Sequence, residues 1–576
     1  MTMVNVTING KEIQVKRGTT ILDAAKSINI NIPTLCHMYM VDGTSRNCKG
    51  TCRICVVEVQ GKKALQPSCS VNVSEGMVVK TNSSRAIKAR KTVLELLLSD
   101  HPKDCLGCEK NQNCELQNLS EILGVGGENF KGELSKYPIE DGNPSIVRDM
   151  SKCILCRRCV TACNDVQNVN VLTPVERGFG AVVSTFFDKP LQETKCTYCG
   201  QCVAVCPTGA LGEKIDYKKI WPLLDDDKKY VMAEIAPAVR VALGEEFGYE
   251  PGTLTTGKIV AGLRRLGFNG VYDAEVGADF TIMEEATEFI DRFSKKENLP
   301  LITSCCPAWV KFAESKYSEN LKYISSCKSP QQMFASIAKN YLSKKINLDR
   351  KDMVLVSIMP CIAKKYEAER EEMKVNDSRD VDIVITTREL AKMFKEGGID
   401  LRNIEEESFD SLLGEATGAG AIFGSTGGVM EAAVRTAYEW VTKETMQDVE
   451  FRQVRGLEGF KEATIELGKD KVNIAVVSSL KNARIIMEQI KEGNCKYDFV
   501  EIMACPGGCI DGGGQPYIKS NRDILIKRMK GLYTEDGNKT IRKSHESEII
   551  KRVYEEFLES PNSHIAHELL HTTYKK

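Results

Sequence analysis

The sequence predicts a multidomain protein in which small α+β modules precede one large α/β domain. The chain has 576 residues, enough for about four domains of ordinary size. Most of its 23 cysteines lie before residue 210, in closely spaced groups. From about residue 216 onward, short apolar runs alternate with helical segments. That alternation is typical of buried strands covered by helices.

Composition and charge exclude several classes of protein. The chain carries 78 Lys+Arg and 79 Asp+Glu, a net charge of −1, so neither nucleic acid nor an anionic membrane is expected as a partner. The N-terminus has no secretory signal pattern, and no apolar run reaches transmembrane length. We therefore predict a cytoplasmic protein. In a reducing compartment the cysteines are expected to be metal ligands or catalytic groups, not disulfides.

Residues 1–80 predict a β-rich module. Two alternating segments, VNVTI and KEIQV, flank Asn9-Gly10, a strong hairpin signal. The spacing Cys52-x2-Cys55-x13-Cys69 resembles a plant-type [2Fe–2S] site in a β-grasp ferredoxin module. The fourth ligand is either Cys36 or Cys48, and we favour Cys36 because Cys48 lies in an expanded loop. The predicted ligands are Cys36, Cys52, Cys55 and Cys69.

Residues 81–126 predict a small helical domain with one metal centre. The candidate ligands follow the pattern His-x3-Cys-x2-Cys-x5-Cys and are His101, Cys105, Cys108 and Cys114. Spacing alone permits either a zinc site of the Cys3His type or a [4Fe–4S] cluster. The cluster-type motifs that follow favour iron–sulfur. A neutral His101 is then expected to raise the potential of the cluster relative to four thiolates.

Residues 127–215 contain an internal repeat of two cysteine runs after a linker-like stretch, 136–149. Both runs match the bacterial 2[4Fe–4S] ferredoxin pattern, in which the fourth cysteine of each run serves the other cluster. Zinc ribbons are the less favoured alternative. Cluster one is predicted on Cys153, Cys156, Cys159 and Cys206, and cluster two on Cys196, Cys199, Cys202 and Cys163.

Residues 216–576 place cysteines at the ends of predicted strands. Cys305-Cys306 follows PLITS, Cys361 follows MVLVSIMP, and Cys505 and Cys509 follow YDFVEIMA; GVYDAEV is another predicted strand. Because strand carboxyl ends converge on the ligand crevice of an open α/β sheet, one shared metal site is expected. The spacing of Cys505 and Cys509 suggests one face of a helical turn. The alternative is a set of inert buried thiols.

Three segments resemble the signature segments of the [FeFe]-hydrogenases: TSCCPAW at 303–309, MPCIAKKYE at 359–367 and EIMACPGGCIDGGGQP at 501–516. The upstream modules resemble those of the large clostridial-type monomeric members. The resemblance implies that 216–576 is a catalytic H-cluster domain. It also implies one accessory [2Fe–2S] and three accessory [4Fe–4S] clusters.

The H-cluster of this family is a [4Fe–4S] cube joined to a diiron subcluster with CO, cyanide and azadithiolate ligands. By resemblance, the cube is held by Cys306, Cys361, Cys505 and Cys509, with Cys509 as the bridge to the diiron unit. Dedicated maturases are implied, because protein atoms do not build that unit. The implied substrates are H2 and protons, with H2 split between an open iron position and the amine.

The resemblance also implies a proton relay, in the order Cys305, Glu285, Ser325, Glu288 and Arg292. Without the resemblance, the spacing of Glu285, Glu288 and Arg292 favours a solvated helix face. Lys364 matches the lysine that donates to a cyanide ligand, although it could be plain surface charge. Ala238 departs from a position that is often Ser, and Cys327 stands where Ala is frequent. The residues that match the cofactor pocket are Pro237, Ala238, Gln331, Met359, Phe423 and Met503.

Two other motifs are interpreted as decoys. Residues 567–571 spell HELLH, a zinc-protease pattern without a downstream third ligand, and they resemble the C-terminal tail of the family. Gly418-x-Gly420 with Gly424 imitates a dinucleotide-binding loop at the wrong spacing.

The sequence therefore predicts a ferredoxin hydrogenase that catalyses reversible H2 formation, with ferredoxin or flavodoxin as its electron partner. One alternative is the catalytic subunit of an NAD-linked electron-bifurcating complex. A noncatalytic electron-relay subunit would explain residues 1–215 but not the cysteines after residue 300. A sensory homologue is disfavoured by the presence of Cys305 and the absence of an added sensor module.

Overall fold

The computed structural model describes residues 2–41, 46–47, 49–126, 129–375 and 378–574. Its first sheet has the order β2-β1-β7-β5-β6, with β1 antiparallel to β2 and parallel to β7. Asn9 and Gly10 both have positive φ, 51° and 84°, as a two-residue turn that matches strand twist requires. The elements are β1 (Met3–Ile8), β2 (Lys11–Lys16), α1 (Ile21–Lys26), β3 (Met38–Tyr39), β4 (Arg46–Asn47), β5 (Val56–Val59), β6 (Gln66–Pro67) and β7 (Met77–Lys80).

Short elements alternate with cysteine-bearing loops between residues 84 and 213. Ser83 caps α2 by accepting a hydrogen bond from the amide of Ala86, which satisfies one of the free donors at a helix start. Two small antiparallel pairs, β9–β10 and β8–β11, frame the later loops. The elements are α2 (Ser84–Ser99), α3 (Glu115–Leu123), β8 (Ile146–Arg148), α4 (Arg158–Thr161), β9 (Thr173–Val175), β10 (Val182–Ser184), α5 (Gln201–Val205) and β11 (Leu211–Glu213).

The rest of the chain is α/β, as predicted, but its strands form two four-stranded sheets instead of one, with β16 and β17 as a separate antiparallel pair. The first has the all-parallel order β13-β12-β15-β18, and the second has the order β14-β21-β20-β19, with only β19 antiparallel. The strands are β12 (Tyr230–Ile235), β13 (Gly270–Asp273), β14 (Leu301–Ile302), β15 (Met353–Met359), β16 (Lys374–Val375), β17 (Ser378–Arg379), β18 (Ile383–Thr386), β19 (Phe460–Leu467), β20 (Asp470–Ser478) and β21 (Phe499–Met503).

Helices cover both sheets. All seven residues of β15 are buried, because a central parallel strand is covered on both faces. The predicted strand GVYDAEV is partly wrong, since β13 ends at Asp273 and Glu275 begins the 21-residue helix α9. The helices are α6 (Trp221–Leu224), α7 (Pro237–Arg240), α8 (Thr256–Arg265), α9 (Glu275–Lys295), α10 (Pro307–Lys316), α11 (Pro330–Ile337), α12 (Ser343–Lys345), α13 (Ala363–Ala368), α14 (Thr387–Glu396), α15 (Gly418–Ala421), α16 (Gly428–Thr442), α17 (Leu480–Glu492), α18 (Arg522–Asn538), α19 (Glu548–Val553) and α20 (His564–Leu570).

No helix in the described parts of the chain combines the length and the apolar character that crossing a bilayer requires.

Candidate active site

Four free cysteines reach one cavity from the ends of strands in both sheets. Cys361 follows β15 of the first sheet, whereas Cys306 follows β14 of the second, and Cys505 and Cys509 follow β21 of the second. All four line the same cavity, of about 90 Å³. The convergence expected from strand ends is therefore present, but it joins two sheets. The site lies between the two sheets, not in the crevice of a single sheet.

The helical turn expected between Cys505 and Cys509 is absent. Gly508 has φ +78°, and a Cβ at this position would lie 2.6 Å from the backbone nitrogen of Thr426. A Cβ on Gly512 would lie 2.2 Å from the carbonyl oxygen of Pro360. Glycines are thus required for this loop to lie against neighbouring backbone, and a 3-10 turn begins only at Cys509.

The cavity has apolar walls with few polar groups. Every residue that the sequence assigned to the pocket lines it, and so do Cys305 and Lys364. The side-chain oxygen of Gln331 has no hydrogen-bond partner among the described residues, so this acceptor is available at the cavity. The predicted pocket residues that line the cavity are Pro237, Ala238, Gln331, Met359, Phe423 and Met503.

Lys364 is a buried cation at the cavity and not a surface charge. Its Nζ lies 2.8 Å from Oε2 of Glu367 and donates to the carbonyl oxygen of Cys305 at 3.2 Å. Although burial lowers the pKa of Lys364, the carboxylate of Glu367 raises it overall. The neighbouring Lys365 points elsewhere, to Asp216 and Glu389. The ammonium of Lys364 therefore stays charged beside the four thiols.

The donor set fits an iron–sulfur cube. Burial raises the pKa of Cys361 to about 12 and also raises the pKa of Cys306, Cys505 and Cys509. Buried thiols of this kind become thiolates when a metal binds them, because the cation replaces the proton. Cys306 Sγ already accepts a hydrogen bond from the amide of Ala504 at 3.4 Å, the type of contact that stabilises a cluster thiolate.

The predicted relay residues lie near one another beside the cavity, and hydrogen bonds join Ser325, Glu288 and Arg292. Glu285 is buried, and burial, reinforced by the charge of Glu288, raises its pKa to about 8. The Ser325 hydroxyl donates to Glu288 Oε2 at 2.8 Å, and it lies close enough to Glu285 to oppose that rise. Arg292 donates to Glu288 Oε1 at 2.5 Å and is only partly exposed. A solvated helix face is therefore wrong for these residues.

The fourth cysteine of each ferredoxin-like run lies beside the first three cysteines of the other run. Cys206 lies close enough to the first three thiols of the first run for its charge to raise their pKa values. Cys163 raises the pKa values of the first three thiols of the second run in the same way. This exchange is the arrangement that the spacing predicted. The two groups are Cys153, Cys156, Cys159 with Cys206, and Cys196, Cys199, Cys202 with Cys163.

The N-terminal cysteines also meet. Hydrogen bonds from Cys52 and Cys69 lower the pKa of Cys36, and a hydrogen bond from Cys69 lowers that of Cys55 to about 6. The structure thus brings Cys36 to the other three thiols. Cys48, the alternative fourth ligand, lies outside the described residues.

The His101 group occupies one loop. His101, Cys105 and Cys108 lie between α2 and α3, and Cys114 caps α3 through its sulfur, which accepts from the amide of Gln117 at 3.5 Å. Burial lowers the pKa of His101, so the imidazole is neutral at pH 7, which is the form that binds metal.

Neither decoy motif forms a site. Both ring nitrogens of His571 are engaged, one with Ser326 Oγ at 2.8 Å and one with Glu284 Oε2 at 2.9 Å, so HELLH offers no zinc ligand pair. A Cβ on Gly418 would lie 2.1 Å from Asp536 Oδ1, which shows that this glycine serves packing.

Sequence reasoning missed three residues that matter to this geometry. Glu367 pairs with Lys364, and its spacing of three residues on a helix was a usable signal. Asn47 donates through Nδ2 to the carbonyl oxygens of Cys36 at 2.6 Å and Cys156 at 2.8 Å. Ser326 donates from its amide to Glu288 at 3.1 Å. Nothing local in the sequence pointed to Asn47 or Ser326.

Family models match most of the chain. "Iron only hydrogenase large subunit, C-terminal domain" matches residues 229–513, and "Iron hydrogenase small subunit" matches 522–576. Upstream, "2Fe-2S iron-sulfur cluster binding domain" matches 1–84. "NADH-ubiquinone oxidoreductase-G iron-sulfur binding region" matches 90–128, and "NADH-quinone oxidoreductase subunit 3, ferredoxin-like domain" matches 143–212.

The similarity to two curated hydrogenases covers the whole length of the chain. The NADP-reducing hydrogenase subunit HndD of Solidesulfovibrio fructosivorans is 51% identical over 100% of this chain and 99% of its own. Iron hydrogenase 1 of Clostridium pasteurianum is 38% identical over 100% of both chains. The structure of a variant of the [FeFe]-hydrogenase HydA1 from Chlamydomonas reinhardtii covers 62% of this chain and 98% of its own, at 40% identity and a TM-score of 0.57.

The fold and the site define an iron–sulfur oxidoreductase that combines a cysteine-lined cavity with a series of cysteine groups upstream of it. With the whole-length similarity to iron hydrogenases, the chain belongs to the [FeFe]-hydrogenase family. It is an H-cluster hydrogenase that acts on H2 and carries accessory 2Fe–2S and 4Fe–4S domains.

Proposed function

We propose that Cys306, Cys361, Cys505 and Cys509 hold the cube of the H-cluster, with Cys509 as the bridge to the diiron unit. The observation that carries this assignment is the convergence of these four free thiols on one apolar cavity. When bound, the H-cluster supplies an iron with an open coordination position and an amine base for the heterolytic cleavage of H2. Lys364 presents a positive charge to the bound H-cluster. Maturases are proposed to supply the diiron unit.

The remaining cluster ligands are assigned from the groups of cysteines and histidine described above. One [2Fe–2S] cluster is proposed on the N-terminal thiols that include Cys36, and one [4Fe–4S] cluster on the His101 loop. Two further [4Fe–4S] clusters are proposed on the exchanged ferredoxin-like runs. The corresponding domains are a β-grasp module at 1–80, a helical His/Cys domain at 81–126, a 2[4Fe–4S] ferredoxin-like domain at 127–215 and the H-cluster domain at 216–576.

Two electron branches are proposed to meet at cluster one. Asn47 links the Cys36 loop to Cys156 through its two hydrogen bonds. From the other side, a Cβ on Gly209 would lie 2.7 Å from Cys108 Sγ, so the His101 loop touches the segment that follows Cys206. Both the [2Fe–2S] site and the His101 site therefore lie against cluster one.

The proposed exit from cluster two to the H-cluster is a backbone contact. Cys199 lies close enough to Cys505 for its charge to raise the pKa of the Cys505 thiol. Gly200 has φ +75°, and a Cβ there would lie 2.9 Å from Gly513 Cα in the loop that follows Cys509. The two cluster-binding loops are thus as close as backbone permits, which favours electron transfer between them.

Gly200→Ala is expected to weaken this contact. Alanine at positive φ costs about 1–2 kcal/mol, and the new methyl group pushes the loop of Gly513 away. Turnover with an electron donor that reduces the accessory clusters should fall several-fold. H2/D2O exchange at the H-cluster needs no external electrons and should persist. Gly178→Ala is the matched control, because Gly178 also has positive φ but no neighbour within 4 Å. Equal turnover in both variants would contradict the route.

Protons are proposed to travel through Cys305, Glu285, Ser325 and Glu288 to Arg292. The pKa of Glu285, about 8, lies near neutral pH, so its carboxyl is able to take up and release a proton. Cys305 lines the cavity, and it lies close enough to Glu285 for the carboxylate charge to raise the pKa of its thiol. The path leads from the cavity wall to a partly exposed arginine.

A protein is proposed as the electron partner, with ferredoxin or flavodoxin as the first candidate and a single chain as the active unit. Among the described residues, the five most exposed large apolar side chains all lie in the segments that carry the accessory cysteines, between residues 106 and 187, and exposed apolar side chains of this kind suit a protein contact. They are Leu106, Ile122, Ile139, Phe186 and Phe187. The second candidate is an NADP-linked complex, favoured by the name of the 51% identical relative. Turnover of the isolated chain with reduced ferredoxin, compared with NADPH, separates the two.

Infrared spectroscopy of the matured protein tests the assigned H-cluster. CO and cyanide bands are expected in the native protein and should disappear in Cys361→Ala, which removes a cube ligand. Cys495→Ala, a half-buried thiol outside the assigned ligand groups, is the control and should keep the bands. A native sample with full iron content and no such bands would refute the assignment.

A further inference from the structure

The C-terminal tail lies against the segment that carries Ser325. The amide of Lys328 donates to the carbonyl oxygen of Leu570 at 2.8 Å, and the amide of Thr572 donates to that of Ser326 at 2.8 Å. Cys327 and His571 face each other in this antiparallel bridge. The tail therefore acts as a short added strand that fixes the position of this segment.

His571 is the polar centre of the contact. One ring nitrogen, Nε2, lies 2.9 Å from Oε2 of Glu284, and the other, Nδ1, lies 2.8 Å from Oγ of Ser326. Glu284 also accepts hydrogen bonds from Tyr554 and from the amide of Asn562. Because a carboxylate only accepts, Nε2 carries a hydrogen, and in the neutral ring Nδ1 then accepts from the Ser326 hydroxyl.

Ser326 joins this network to the proton path. Its amide donates to both carboxylate oxygens of Glu288, at 3.1 and 3.3 Å. The same carboxylate accepts from Ser325 and Arg292. The order of contacts is thus Glu284, His571, Ser326 and Glu288, and each contact is a hydrogen bond between buried or partly buried groups.

We propose that His571 is a positioning residue of the proton path, which holds Ser326 so that its amide fixes the carboxylate of Glu288 beside Ser325. The proposal rests on the proposed function, since the role of Glu288 in proton transfer is itself part of that function. Glu284 acts behind His571 by fixing the tautomer of the ring. The HELLH motif thereby acquires a role that is unrelated to zinc.

Two conservative replacements separate the two hydrogen bonds of His571. In His571→Asn the amide takes the place of Nδ1 and retains Ser326, whereas in His571→Gln it takes the place of Nε2 and retains Glu284. His571→Ala, which loses both, is expected to lower turnover about tenfold, the effect of one lost hydrogen bond of ordinary strength. His571→Asn should restore most of the turnover, and His571→Gln should not.

His545→Gln is the matched control. His545 lies 3.1 Å from Thr436 Oγ1 and 2.9 Å from Glu439 Oε2, the same hydroxyl–histidine–carboxylate arrangement without a contact to the path. It should keep full turnover. Infrared bands and melting temperatures are recorded for every variant, so that the asparagine and glutamine variants decide the question even where the alanine variant does not fold.

Wild-type turnover in all three His571 variants would overturn the proposal. An equal loss in the asparagine and glutamine variants, together with a lower melting temperature, would also overturn it, because the tail would then serve stability alone. Glu288→Gln is measured in parallel to test the path itself. If that variant keeps full turnover, the proposed proton path is wrong; if it loses turnover while the His571 variants do not, only the present inference is wrong.

Discussion

Replacing Cys305 by Ser is expected to lower H2 turnover by about 100-fold or more, the usual effect of removing a positioned proton-transfer group. Cys305 lines the cavity beside the proposed cube ligand Cys306 and acts electrostatically with Glu285. Burial raises the pKa of the Cys305 thiol well above its ordinary value, but a thiol is still far more acidic than a serine hydroxyl in the same place. Serine therefore has nearly the same shape but cannot release a proton at the same cost.

The measurement compares turnover with the state of the cofactor. Cys305→Ser should keep the CO and cyanide bands and the full iron content, because Cys305 is not a proposed ligand. Cys495→Ser exchanges the same atoms at a half-buried thiol outside the assigned ligand groups and should keep its turnover. Full turnover in Cys305→Ser would exclude the thiol from the proton path. Loss of the bands would instead show that Cys305 supports the cofactor.

The ligand groups were predictable because their chemistry is local in sequence. Four cysteines within 11 residues leave few ways to bind anything other than a metal, and the exchange of the fourth ligand follows from the repeat. The strand-end positions of Cys361 and Cys505 were likewise visible as apolar runs that end in cysteine. What the pattern could not give was the number of sheets, because strand order depends on pairings between distant segments.

The outer part of the site depends on contacts that the sequence does not announce. His571 meets Ser326 across 245 residues, and Asn47 meets Cys156 across 109. The charges of Glu285 and Glu288 suggested a solvated helix face, since spacing on a helix does not reveal what covers that face. The loop between Cys505 and Cys509 differed from a helical turn for a related reason. Its glycines are required by the nearby backbone of Thr426 and Pro360, not by local propensity.

Glu285→Gln is expected to lower turnover by about 100- to 10,000-fold, because the amide keeps the size of the carboxyl group but cannot transfer its proton. The two carboxyl oxygens have no hydrogen-bond partner among the described residues, so the replacement breaks no contact there. Asp279→Asn is the matched control. Asp279 is a buried carboxyl on the same helix, with a pKa raised by burial to about 6, but it accepts from Thr417 and Ser544, away from the path.

The pKa of Glu285 sets the direction in which turnover should change with pH. With a pKa of about 8, Glu285 is protonated below pH 8 and ionised above it. H2 formation consumes protons, so its rate should fall as the pH rises through about 8, whereas H2 oxidation, which needs an acceptor, should gain. In Glu285→Gln this dependence should vanish together with most of the turnover. An unchanged pH profile in the variant would show that another group delivers the proton.

Loss of folding cannot imitate this result. Between the ordinary pKa of a glutamate, about 4.3, and about 8, the unfolded chain has an ionised Glu285 and the folded protein a neutral one. Folding must then bind a proton, and the stability from this group falls as the pH rises through that window. Glutamine removes the penalty, so at pH 7 the melting temperature of Glu285→Gln should equal or exceed that of the native protein. A variant that is more stable yet inactive would place Glu285 in the transfer of protons and not in the support of the fold.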